Sequence, residues 1–155
     1  MPGSAEIEDD RQIRELVQNW AIWRDAGDWE RFRTVWHHDG RMMAPWTQGT
    51  GDEFIEISRE GWDKGVSILH FLGGSAVDVA GTRAIAQTKM SLSQPATVDD
   101  GAGDVVCSGR FYDFFNNPGR IWCHALRPPV YVDARPHPVA PHLTLTHHPR
   151  LTSPV

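Results

Sequence analysis

Between Glu6 and Ala26 the apolar side chains return with a helical period. Ile13, Leu16, Val17, Trp20 and Ala21 share one face, and Gly27 suits the helix end. Asp28 then reads as the N-cap of a short second helix that runs through Trp36, buries Trp29, Phe32 and Val35 or Trp36, and closes at the Asp39-Gly40 turn. Arg41 to Trp46 reads as a first strand, bent or at a sheet edge because of Pro45. Thr50-Gly51-Asp52-Glu53 is a capping box that opens a third helix towards Trp62. Beyond it the period shortens to two. Strands are predicted over Ser67–Val79, with a possible break at Gly73-Gly74, then over Arg83–Gln94, Asp104–Phe115 and Arg120–Val132, separated by turn-forming clusters such as Asp99-Asp100-Gly101 and Asn116-Asn117-Pro118-Gly119.

Helices first and long antiparallel strands afterwards is the pattern of an α+β domain. The expected architecture is a cone, a curved antiparallel sheet capped by three N-terminal helices with a pocket between them. At 155 residues one domain is expected, over residues 1–132. From Arg127 onward the chain holds seven of its eleven prolines, so residues 133–155 are expected to form an extended Pro/His-rich tail outside the sheet.

Composition narrows the function classes. The formal charge is −5, Lys64 and Lys89 are the only lysines, and no basic stripe appears, so a nucleic-acid partner is not expected. No apolar run approaches a membrane span or a secretory signal, and Cys107 and Cys123 suggest neither a disulfide framework nor a zinc site, which points to a reduced, cytoplasmic setting without membrane partners. Seven tryptophans are many for this length, and large rings of this kind line cores and pockets.

The stretches WAIWRDAGDWERF (20–32), ILHFLGG (68–74) and VVCSGRFYDFF (105–115) resemble, in that order and spacing, the SnoaL-like branch of the nuclear-transport-factor-2-like superfamily. Scytalone dehydratase and the bile-acid dehydratases are its best-known enzymes. The similarity spans about residues 8 to 132. It implies the cone, a pocket for a small hydrophobic molecule, no cofactor, and a homodimer or homotrimer. It does not imply one reaction, because this fold hosts several chemistries.

On the dehydratase pattern, Asp25 and His70 fall on the positions of the catalytic aspartate and a pocket histidine. Asp25 would sit at the negative end of a helix dipole beside Trp20 or Trp23, and the pair would move protons at the substrate. Trp20, Trp46, Met90, Gln94, Ser108 and Tyr112 are the expected lining. Two departures matter. The early dehydratase tyrosines have no counterpart, since Trp20 or Arg24 and one of residues 42–46 stand there, and Gln94 replaces a second histidine but cannot act as a base. Along the third long strand, Ser108, Arg110, Tyr112 and Phe114 share one face and Val105, Cys107, Phe111, Asp113 and Phe115 the other; the first set would orient a ligand if it looked inward. The alternation also puts His70 with Ile68 and Leu72 opposite Leu69 and Phe71, so that strand is expected to be covered on both faces. His37-His38-Asp39 is expected to be an exposed helix end and not a metal site. The leading expectation is a lyase or isomerase, the alternative a non-catalytic ligand-binding or assembly domain.

Overall fold

The structure is a computed structural model and describes residues 3–138. Helix α1 spans Ser4–Ala26, α2 Trp29–Thr34 and α3 Gly51–Asp63; the strands are β1 Trp36–Ala44, β2 Thr47–Thr50, β3 Leu69–Ala80, β4 Arg83–Val98, β5 Gly101–Asn116, β6 Cys123–Arg127 and β7 Pro129–Pro138. The seven strands form one curved, unclosed sheet in the order β2-β1-β6-β5-β4-β3, with β7 paired to β5 as well. All pairings are antiparallel except β1 with β6. The fold is the expected α+β cone. Among the described residues no helix is long and apolar enough to cross a membrane.

Local chemistry sets the helix ends. The Asp28 carboxylate accepts from the Arg31 N–H at 3.1 Å and caps α2. Thr50 and Glu53 close their box reciprocally: Glu53 N–H donates to Thr50 Oγ1 at 3.1 Å, and Thr50 N–H to Glu53 Oε2 at 2.7 Å. Gly27 ends α1 in the left-handed region at φ 68°. A Cβ there would lie 2.7 Å from the Trp62 ring, so both conformation and packing require glycine where α1 meets α3.

α1 lies across the concave face of the sheet. Its buried stripe of Ile13 and Val17 meets Ala84, Ala86, Phe115 and Trp122, and further along Trp20 and Ala21 meet Phe32, Phe54, Met90 and Phe111. Burying each large side chain of this kind contributes roughly 1.5–3 kcal/mol. The Trp122 indole N–H donates to Asp9 at 2.8 Å and ties the segment before β6 back to α1.

Four local expectations are corrected. The region after α2 is strand, not helix end: β1 begins at Trp36, and a register irregularity between Trp36 and Arg41 carries His37, His38 and Asp39 at the surface. The last strand is split at Pro128, which lacks an N–H for the ladder, so β6 pairs with Phe114–Asn116 and β7 with the earlier part of β5. β7 also continues past 132 to Pro138. Pro136 and Pro138 are two apart on a strand that, among the described residues, pairs with β5 alone, so both can turn their nitrogens to the other edge, where no donor is needed. The rest of the expected tail, residues 139–155, lies outside the described residues. Finally, β3 is covered on one face only: Leu69 and Phe71 are exposed, as are Ile85, Phe114, Val130 and Val132 on the same outer surface of the sheet.

Candidate active site

The end of α1 and the start of β3 bring an acid and an imidazole together. Asp25 sits in the last turn of α1, one residue before the helix stops. His70 lies on the inward face of β3, opposite the exposed Leu69 and Phe71. Asp25 grips His70 twice: the His70 backbone N–H donates to Oδ2 at 2.5 Å, and the ring Nδ1 lies 2.7 Å from Oδ1. A carboxylate oxygen accepts, so Nδ1 carries the hydrogen and Nε2 is left with its lone pair. The ring is fixed further by Trp20, edge-on at 5.4 Å between centroids, and by Phe111 at 6.0 Å. Burial holds the His70 pKa below its ordinary value, and Asp25 pulls the other way. The imidazole is therefore neutral at neutral pH, in the form that accepts a proton.

His70 forms part of the wall of a cavity of about 210 Å³ between the helices and the sheet. Trp20, Met42, Phe54, Leu92 and Phe111 supply apolar wall; Arg24, Gln94, Cys107 and Tyr131 supply polar atoms. Burial raises the Tyr131 pKa, and the neighbouring Trp46 opposes that shift. A second hollow of about 350 Å³ adjoins the first, bounded by Ile57, Ser58, Trp62 and Val66. Arg24, Trp46, Ile68 and Gln94 border both, so they form the neck between the inner cavity and an outer vestibule.

Of the residues singled out from sequence, Asp25 and His70 meet, and Trp20, Trp46 and Gln94 line the same cavity as His70. Three do not reach it. Ser108 and Tyr112 point outward, because Phe111, Asp113 and Phe115 are buried on β5 and alternation sends their neighbours to the other face. Ser108 instead faces Ser91 across the outer surface at 3.5 Å. Met90 is buried, but in the core behind the cavity with Trp20 and Phe111. Arg24 and Tyr131 were not proposed as lining. Arg24 had a readable signal, since it continues the buried stripe of α1 through Trp20 and Ala21. Tyr131 had none short of knowing how β7 folds back along β5.

His37, His38 and Asp39 each place one possible ligand atom within 4.8 Å of the others. Those atoms are engaged locally: His38 Nε2 lies 2.9 Å from Asp39 Oδ2, and His37 Nδ1 accepts the Asp39 N–H at 3.1 Å.

A curved sheet with helices over its hollow face, and a part-buried imidazole in the wall of that hollow held from behind by a carboxylate, defines the class: an α+β cone protein with an internal cavity. The SnoaL-like domain model matches residues 5–122, and the chain belongs to that family, within the nuclear-transport-factor-2-like fold. A PEP2-like protein of Fusarium vanettenii is 33% identical over 114 residues, covering 72% of this chain and 49% of that one; the pea pathogenicity protein 2 of the same organism is 32% identical with the same coverage. The chain thus spans about half the length of the curated relatives it matches. Among solved structures, the hexachlorocyclohexane dehydrochlorinase LinA-type3 of Novosphingobium barchaimii aligns at TM-score 0.74 and 10% identity, covering 87% of this chain and 97% of that one. A scytalone dehydratase-like protein of Novosphingobium aromaticivorans aligns at TM-score 0.71 and 17% identity, covering 86% and 91%. At such identities these two structures establish the fold.

Proposed function

We propose that the protein is a lyase of the dehydratase type, or an isomerase, that works without a cofactor on a compact hydrophobic ring compound through the Asp25–His70 pair. The observation that carries this reading is the 2.7 Å contact by which Asp25, behind the wall, holds the His70 ring that lines an otherwise largely apolar cavity. His70 Nε2 takes a proton from a carbon next to a carbonyl. The C–H electron pair becomes the new double bond, and the bond to a hydroxyl on the adjacent carbon breaks; the hydroxyl takes the proton from the imidazolium and leaves as water. In an isomerase the same proton returns to another carbon. Asp25 holds the ring and balances its charge while it is protonated. The names of the fold neighbours, a dehydrochlorinase and a dehydratase, support an elimination.

Cavity size selects among substrates. A hollow of about 150 Å³ accepts benzene, so about 210 Å³ suits one ring or two fused rings better than a steroid. Gln94 in the wall supports the second reading, a non-catalytic binder of hydrophobic ligands, because an amide cannot replace a histidine base. We include a homodimer or homotrimer in the proposal, supported by the exposed apolar outer face of the sheet, and a reduced cytoplasmic setting, supported by the two free thiols.

The test is incubation with a panel of cyclic β-hydroxy ketones, followed by mass spectrometry. The expected result is loss of water or isomerisation with the wild type, slowed about 10²–10⁴-fold in both Asp25→Asn and His70→Ala, with the melting temperature held within a few degrees. The wild-type rate falls as acid protonates His70, below the ordinary histidine range. Full activity in both variants would overturn the mechanism, and saturable binding without any product would establish the binder.

A further inference from the structure

Arg24 stands where the pattern of α1 calls for an apolar residue. The stripe Ile13, Val17, Trp20, Ala21 runs onto it, and its side chain is only 7% exposed. An arginine in the last turn can favour the helix dipole from the outside, but this one is turned inward to the neck between the cavity and its vestibule. Its one ion-pair partner among the described residues is Asp25 Oδ1 at 3.8 Å, beyond hydrogen-bond reach, and that oxygen already receives His70 Nδ1–H at 2.7 Å. No hydrogen bond of the Arg24 guanidinium is present among the described residues. Arg127, fully buried, instead makes two hydrogen bonds to Asp113, at 2.6 and 2.7 Å.

A guanidinium has five N–H donors in a planar fork and stays charged in proteins. Burial disfavours that charge and draws the Arg24 pKa down, with Asp25 and Tyr131 opposing. A buried cation without hydrogen-bond partners is costly, and a site that keeps one gains most from an anionic ligand. Gln94 adds amide donors at the same neck, while the aromatic wall of Trp20, Phe54 and Phe111 lies deeper.

We infer that Arg24 is the anion-binding residue of the cavity and that the ligand is a ring compound bearing a carboxylate, held at the neck by the guanidinium fork with its ring against the aromatic wall before His70. This rests on the reading of the cavity as a small-molecule site. It changes the expected ligand from a neutral hydrophobe to an aromatic or cyclic acid.

Trp20 and Trp46 border the cavity, so binding is read by quenching of tryptophan fluorescence with two probes of equal size, trans-cinnamate and cinnamamide, at pH 7.5. The wild type binds cinnamate about tenfold or more tightly than cinnamamide, as a charge-assisted bidentate contact requires. Arg24→Met abolishes that preference, most of the loss falling on cinnamate, whose charge pairs with the guanidinium; Arg24→Lys, a point charge without the fork, keeps part of the preference. Where Arg24→Met does not fold, Arg24→Gln takes its place. Equal wild-type affinities, or a preference that survives in Arg24→Met, overturn the role of Arg24 and leave the cavity reading standing. No saturable quenching by either probe overturns the cavity reading and this inference with it.

Discussion

Among the described residues two polar clusters are built from the same kinds of side chain, one part-buried beside a cavity and one sealed in the core. Asp25 and His70 join α1 to β3, with His70 in the cavity wall and Asp25 behind it. Asp113, His124 and Arg127 join β5 to β6 in the sealed core, each at most 1% exposed. The sealed cluster has the more complete pairing between its charges: Arg127 binds Asp113 through Nε and Nη2 and lies over the Trp20 and Phe111 rings at 4.2 and 4.1 Å. Burial raises the Asp113 pKa against the pull of Arg127, and it drives the His124 pKa well down, with Arg127 adding to that effect. Among the described residues neither ring nitrogen of His124 has a hydrogen-bond partner, and the Leu16 backbone favours the charged form of the ring. The two clusters share a wall, because Trp20 and Phe111 pack against Arg127 and also against His70. The comparison teaches that burial alone does not mark a reactive group. Both histidines are kept neutral, but only His70 has a ring nitrogen oriented by a carboxylate and a place beside it for a ligand.

The contrast is broken most forcefully at Arg127. Arg127→Met leaves Asp113 as a buried carboxylate without its partner, and a loss of about 3–5 kcal/mol is expected in urea unfolding. Asp25→Asn, which keeps an acceptor for His70 in a half-open site, is expected to cost much less while abolishing the proposed turnover. Comparable losses from the two would show that both clusters are structural.

A smaller effect is expected with pH. His70 and His124 both have folded-state pKa values below those of the unfolded chain, so the unfolded state binds more protons as pH falls. Stability is therefore full above the ordinary histidine range and declines from about pH 6.5 downward, by up to about 1.4 kcal/mol per pH unit for each coupled proton. Asp113 acts in the opposite sense, since its raised pKa lets the folded state take up that proton first and flattens the slope at the acid end. His124→Phe, which fits a ring between Trp36 and Phe115, is expected to make the slope shallower in chemical denaturation between pH 7.5 and 5.5. An unchanged slope would mean that His124 does not titrate across unfolding.

The smallest effect is expected on the outer face of the sheet. Ser108→Ala and Tyr112→Phe are expected to change stability by less than about 0.5 kcal/mol and to leave cavity binding unchanged. A loss of ligand binding in either would return the exposed face of β5 to the site.

Much of this architecture was legible in the chain. The stripe of α1, the Thr50–Glu53 box and the turn clusters at 99–101 and 116–119 are local signals, and helices and hairpins respond to neighbours a few residues away. The pairing of Asp25 with His70 was legible only through family resemblance, because 45 residues separate them and no local rule connects the end of a helix to a later strand. Which face of β5 looks inward was not legible. Both faces carry aromatic side chains, and the choice fell to the face where Phe111 and Phe115 pack under the helices and Asp113 finds Arg127.

The sequence by itself determined the three helices, the long strands after them and the α+β order, since periodicity and capping act within a few residues. Only the tertiary structure decided that β7 returns along β5 to bring Tyr131 to the cavity, that Ser108 and Tyr112 turn away, and that one acid–histidine cluster borders a hollow while the other is sealed. Those outcomes depend on the curvature of the sheet and on competition among distant side chains for the same enclosed space, which no segment of the chain specifies alone.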